Sequence, residues 1–168
     1  KVYVSTDSLS ICSVAKDAGA DVIMRPDRIS GDLSTDLEFF LHFTRVVTDL
    51  PDALIHLRPT YPLRKPELLD DMLSQFENSL PSALRTVIPC EHPPYKTYTI
   101  EGQTLVPLVG TLGGVVRPYD CPTQLLPPTY RHNGCIDIIK TTTVGEGSVS
   151  GDQMEAYVMS GKDIYDID

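Results

Sequence analysis

The sequence predicts an α/β fold in which a mostly parallel sheet is layered with helices and one arm is inserted. Three observations lead there. From Val2 to Ile88, short apolar runs alternate with segments whose apolar residues recur at helical spacing, the grammar of strand–helix–strand units. From Pro89 to Pro128 that grammar breaks, with eight prolines plus Gly110, Gly113 and Gly114. A length of 168 residues fits one domain, 1–168, with a substantial core.

Val2–Val4 reads as a strand, and Ser5-Thr6-Asp7-Ser8 supplies cap residues for a helix through Leu9, Ile11, Cys12, Val14 and Ala15. Gly19 ends that helix, and Asp21–Met24 is a second strand stopped by Pro26. Ser34-Thr35-Asp36 caps an amphipathic helix through Leu37, Phe39, Phe40, Phe43, Val46 and Val47. Ala53–Leu57 is a strand, Arg58–Pro66 a stiff loop, Glu67–Ser79 a helix and Ala83–Ile88 a strand. Residues 89–128 form the arm, with a hairpin across Glu101-Gly102-Gln103. Cys135–Ile139 and Ala156–Met159 return as strands. Because the chain opens at Lys1 already inside a strand-like run, an upstream segment is expected to be missing from the sequence.

Composition excludes several classes. Hydrophobic residues at 41% and charged residues at 22% are ordinary for a globular domain, not for a disordered tail or coiled coil. Fourteen basic against 23 acidic residues leave a net charge of -9, and no basic run offers a nucleic-acid face. No apolar run reaches the roughly 18 residues of a membrane span, and no signal peptide opens the chain. Cys12, Cys90, Cys121 and Cys135 lie far apart, without zinc spacing or a disulfide framework. A soluble, cytoplasmic domain is expected.

Ligands of open α/β sheets bind beyond the carboxyl ends of the strands, and three polar clusters fall there. Ser5–Ser8 is read first as a helix cap. Arg58-Pro59-Thr60-Tyr61-Pro62-Leu63-Arg64 is either a pre-organised cationic rim or a charged loop turning a corner. Asp166 and Asp168, at i and i+2, share one face of an extended segment. That pair suits Mg²⁺, which takes one or two carboxylates plus substrate phosphates; the alternative is two solvated terminal residues. No Walker A, GxGxxG, GxSxG or HExxH motif occurs, and Gly110–Gly114 reads as a turn.

In order, VSTDS (Val4–Ser8), AKDAGADVIMRP (Ala15–Pro26), LRPTYPLR (Leu57–Arg64), PPYK (Pro93–Lys96), RHNGCIDI (Arg131–Ile138) and YVM…DIYDID (Tyr157–Asp168) resemble the CMP-sialic acid synthetases, or acylneuraminate cytidylyltransferases. The resemblance implies a three-layer, Rossmann-like nucleotidyltransferase fold with 89–128 as its dimerisation arm, hence a homodimer. It implies Mg²⁺-dependent transfer of CMP from CTP to the anomeric hydroxyl of an acidic sugar, with release of pyrophosphate. Carried over residue by residue, it implies catalytic roles for Asp166, Asp168 and Lys96, with Asp166 and Asp168 on the metal. Arg25, Ser34 and Asp36 fall at the nucleotide, and Arg58, Thr60, Arg64, Asn133, Gly134 and Asp137 at the sugar.

The departures are informative. Arg58 stands where the family has a sugar-contacting glutamine, Asp137 where it has a tyrosine, and Val149-Ser150 where an aromatic pair is expected. The expected substrate is a sialic or related nonulosonic acid, and these departures favour an acid such as legionaminic, pseudaminic or octulosonic acid over N-acetylneuraminic acid. The family's opening strand and Gly/Lys/Arg-rich phosphate loop are not in the sequence. Two other readings stand beside this one: a sugar nucleotidyltransferase of the same fold with another base, and a non-catalytic, truncated, dimeric sugar-binding module.

Overall fold

The computed structural model describes residues 1–160 and 167. Its elements run β1 (Tyr3–Thr6), α1 (Leu9–Asp17), β2 (Asp21–Met24), α2 (Asp36–Val46), β3 (Ala53–His56), α3 (Pro66–Ser79) and β4 (Ala83–Pro89). The arm contributes β5 (Tyr98–Glu101), β6 (Thr104–Pro107), β7 (Thr111–Leu112) and β8 (Val115–Val116). The chain closes with β9 (Tyr130–Lys140), α4 (Thr141–Gly145) and β10 (Met154–Val158). Contacts divide it into two compact units. Lys1–Leu57, Lys65–Leu84 and Ile136–Glu155 form the first; Arg58–Arg64, Arg85–Cys135 and Ala156–Asp168 form the second.

The expected α/β alternation is present. β1 and β2 pair in parallel, Val4 opposite Val22. A four-stranded sheet has the order β10-β4-β9-β3, and it is mixed rather than mostly parallel. β9 runs antiparallel to β3, Leu54 opposite Ile139. It also opposes β4, since Lys140 N–H donates to Ser82 O at one end and Cys90 N–H to Thr129 O at the other. β10 runs with β4, as Ala83 N–H meets Gln153 O and Met159 N–H meets Val87 O. The reason lies in the connection. A parallel neighbour needs a crossover, whereas β9 follows β4 through the arm, without one, and re-enters from the end where β4 left.

In the first unit, Ser8 caps α1 by accepting from Ile11 N–H, so the cap reading of that cluster accounts for it. Pro66 occupies the first turn of α3, where its missing N–H costs nothing. Leu80 ends that helix in the left-handed region at φ 49°, with its N–H on Phe76 O. Phe40, Leu54, Ala83, Ile139 and Val144 make a buried cluster, with Leu37, Phe39, Leu41, Phe43 and Val149 packed against it. Each large side chain buried there contributes about 1.5–3 kcal/mol. The sequence reading missed α4, a single turn in a run of three threonines that carries little helical signal.

In the second unit, Tyr95 is buried and its hydroxyl donates to Pro127 O at 3.0 Å, tying the start of the arm to its end. β5 and β6 form the expected hairpin, Glu101 opposite Thr104. Gly113 and Gly114, at φ 53° and 86°, form the two-residue turn between β7 and β8. Positive φ at both positions is what a hairpin of the I′ type requires, and only glycine adopts it without strain. The GTLGG stretch is therefore a turn, as expected. Ile100, Leu105, Val116 and Leu125 stand exposed along the arm. No helix among the described residues is long and apolar enough to cross a membrane.

Candidate functional site

In the first unit, the chain between β2 and α2 folds into a cleft. Arg25, Ile29, Ser30, Ser34, Thr35, Asp36 and Phe39 line it, with Gly31 at its edge. The three residues expected at a nucleotide, Arg25, Ser34 and Asp36, thus surround one space. Its volume is about 140 Å³, below the roughly 300–1,000 Å³ of a complete small-molecule site. A space of this size has room for one group of a ligand rather than a whole one.

Arg25 reaches this cleft because its own N–H pairs with Thr6 O, extending the β1–β2 ladder by one residue. Its Nε donates to Ser30 Oγ at 3.2 Å, and Nη2 lies 3.5 Å from Asp7 Oδ1. Ser30 Oγ in turn donates to Pro26 O at 3.0 Å. A guanidinium held in this way keeps further N–H donors for a ligand oxygen. Asp7, read from sequence as a cap residue, supplies the opposing charge.

The N-terminus of α2 forms one wall. Thr35 N–H and Thr35 Oγ1–H both donate to Glu38 Oε2, at 2.7 and 3.1 Å, which is the capping-box arrangement. These bonds from Thr35, backbone first and hydroxyl second, with the charge of Arg28 added, hold the Glu38 carboxyl below its ordinary value of 4.5. A depressed carboxylate contributes stability above its unfolded value and loses it as pH falls through the folded one. The first turn of α2 is therefore expected to fray as pH drops below 4.5 and to be firm above it. Amide exchange at Asp36–Glu38 checks this, and Glu38→Gln should abolish the pH dependence. A turn equally protected at pH 3 and pH 7 would refute it.

The second unit gathers most of the residues expected at the sugar. Arg64 spans its loop: Nε donates to Cys135 O and Nη2 to Arg58 O, both at 2.9 Å. The guanidinium also lies 5.9 Å from the centre of the Tyr61 ring, which is 1% exposed. The Arg64 side chain thus shapes the loop and fixes it to β9. Thr60 O accepts from Ile167 N–H at 2.9 Å, which sets Ile167 beside the same loop. Asn133 is buried; its Nδ2 points at Met159 Sδ at 3.1 Å and its Oδ1 accepts from Cys135 N–H at 3.3 Å. Gly134, between them at φ 69°, makes this tight bend possible. Lys96 ends the 3-10 turn Pro94–Lys96 and is exposed.

Asp137 belongs to the first unit. Its carboxylate is 3% exposed and faces His56, with Oδ2 3.9 Å from Nδ1. Asp166 and Asp168 lie outside the described residues. Among the described residues, no group of three or more His, Cys, Asp or Glu is placed to hold a metal ion. Sequence reasoning missed Phe39, Ile29 and His56. Phe39 was within reach, since it falls three positions after Asp36 on one helix face.

No family model matches the chain. Over 64 residues it is 36% identical to the N-acylneuraminate cytidylyltransferase of Escherichia coli O18:K1:H7 (strain RS218 / NMEC). That match covers 38% of this chain and 15% of that protein's length. In fold the chain is similar to a CMP:2-keto-3-deoxy-manno-octonic acid synthetase complexed with CTP, at a TM-score of 0.63 and 13% identity. That likeness covers 96% of this chain and 73% of the other. The likeness to that synthetase shows the fold, and the chain spans about a seventh of the length of the curated relative that it matches in sequence.

Proposed function

We propose that the chain is a nucleotidyltransferase that moves CMP from CTP to the anomeric hydroxyl of an acidic sugar. The convergence of Arg25, Ser34 and Asp36 on one cleft carries this reading. Hydroxyls and a carboxylate suit ribose hydroxyls, a guanidinium suits phosphate, and the Phe39 wall suits a base. In the transfer, the anomeric oxygen bonds to the α-phosphorus as the bond to pyrophosphate breaks. Charge then accumulates on the leaving group, and Lys96 is the residue proposed to offset it.

Asp166 and Asp168 would hold Mg²⁺, for which two carboxylates are the right hard oxygen donors. Bound there, the ion would neutralise charge on the phosphates. Arg58 adds a guanidinium suited to the carboxylate of an acidic sugar, sialic or a related nonulosonic acid.

The test is pyrophosphate release from CTP and Mg²⁺ with a panel of acidic sugars. Release that requires one sugar supports the reading and names the substrate; release with UTP or GTP in place of CTP overturns the base assignment. Silence across the panel overturns the activity and favours a sugar-binding module. We further propose a cytoplasmic homodimer in which a second copy covers the arm, where Ile100 is 72% and Val116 69% exposed. Sedimentation should show two copies, and Ile100→Asp with Val116→Asp should give one; a wild-type monomer would refute it.

A further inference from the structure

Asp137 and His56 are 81 positions apart in the chain and are opposite each other in the β3–β9 register. The carboxylate Oδ2 lies 3.9 Å from Nδ1, with the side chains 3% and 15% exposed. On its other side, the His56 imidazole meets Phe39 and Phe40, with ring centres 5.1 and 5.2 Å apart and planes at 61° and 83°. Phe40 belongs to the core cluster, whereas Phe39 is also a wall of the cleft that holds Arg25, Ser34 and Asp36. A buried imidazole–carboxylate pair is costly to desolvate, and hydrocarbon of the same volume would fill the space more cheaply. What the pair adds is direction. At 3.9 Å the carboxylate attracts the Nδ1 edge of the imidazole by charge rather than by a hydrogen bond, and edge-to-face ring contacts have an angular preference that an aliphatic side chain lacks.

We propose that His56 and Asp137 are positioning residues that hold Phe39 as a flat apolar wall of the cleft, set to receive the face of a nucleobase. The proposal rests on the nucleotide reading of that cleft. Neither residue touches the ligand; both act through the Phe39 ring.

The double variant His56→Leu/Asp137→Leu removes both polar partners together and leaves no charge buried alone. It is compared with wild type carrying 4-fluorophenylalanine at position 39 and, separately, at position 43, whose ring packs on Tyr3. Fluorine spectra are recorded without ligand, and CTP affinity is measured by calorimetry. The line at 39 should shift or broaden, the line at 43 should stay, and the dissociation constant for CTP should rise about tenfold. An unmoved line at 39 overturns the positioning role. A moved line with unchanged CTP affinity overturns the base seat. If wild type binds no CTP, the nucleotide reading and the base seat fail together, and the line at 39 still decides the positioning role. Should the double variant lose its melting transition, Asp137→Asn carries the same two readouts, with smaller changes expected and no change overturning the proposal.

Discussion

Tyr61→Ala is expected to lower stability by about 3–5 kcal/mol, the range for truncating a large buried aromatic ring. The ring is 1% exposed, its backbone N–H is bonded to Arg58 O, and the Arg64 guanidinium sits over it. Truncation would open a cavity and remove a cation–π contact, which when desolvated is worth about 2 kcal/mol or more. For a chain of this size, about 1 kcal/mol moves the melting temperature by roughly 2–4 °C, so a fall of about 6–20 °C is expected. Tyr61→Phe keeps the ring and its contact with Arg64, and should cost much less than the alanine variant. Thermal melts of the three proteins decide the matter. An alanine variant melting within about 2 °C of wild type would mean that the ring does not support the loop.

Asp166→Asn and Asp168→Asn should each lower sugar-dependent pyrophosphate release by about 100-fold or more, the scale seen when one charge-stabilising group is removed from such a site. Each substitution replaces an anionic donor by a neutral amide and weakens the hold on Mg²⁺. Raising Mg²⁺ tenfold should restore part of the activity of either single variant and none in the double variant. Unchanged release in both singles would remove the pair from the proposed metal site. Unchanged far-UV circular dichroism would separate this loss from unfolding.

The local grammar was readable because it depends on neighbours in sequence. Ser8 and Thr35 announce their helices, Pro66 marks the start of α3, and Gly113-Gly114 marks a hairpin turn. Direction in the sheet was not readable. Nothing local distinguishes an apolar strand that pairs parallel from one that pairs antiparallel, and β9 takes its direction from the arm before it. At the candidate site, Arg25, Ser34 and Asp36 were found because a resemblance supplied them, and they converge on one cleft. The task of Arg64 escaped the sequence because its partners are backbone carbonyls, including Cys135 O, 71 positions away. The His56–Asp137 pair escaped for the same reason: a cross-strand partner is fixed by register, and register is a property of the finished sheet.

The two units have a consequence for how the chain comes to be folded. Neither is a continuous stretch: each is assembled from three segments, and the first closes only with Ile136–Glu155. Its core joins Phe40 and Leu54 to Ile139 and Val144, so more than a hundred residues must be synthesised before the first of these side chains meets the last. At about 5–20 residues per second, that is a wait of several seconds on the ribosome. During that interval, α1, α2 and β3 have no buried partner from the last third of the chain. Such long-range closure slows folding, because loop entropy is lost before contacts repay it. The first unit can therefore complete its core only after β9 has been made.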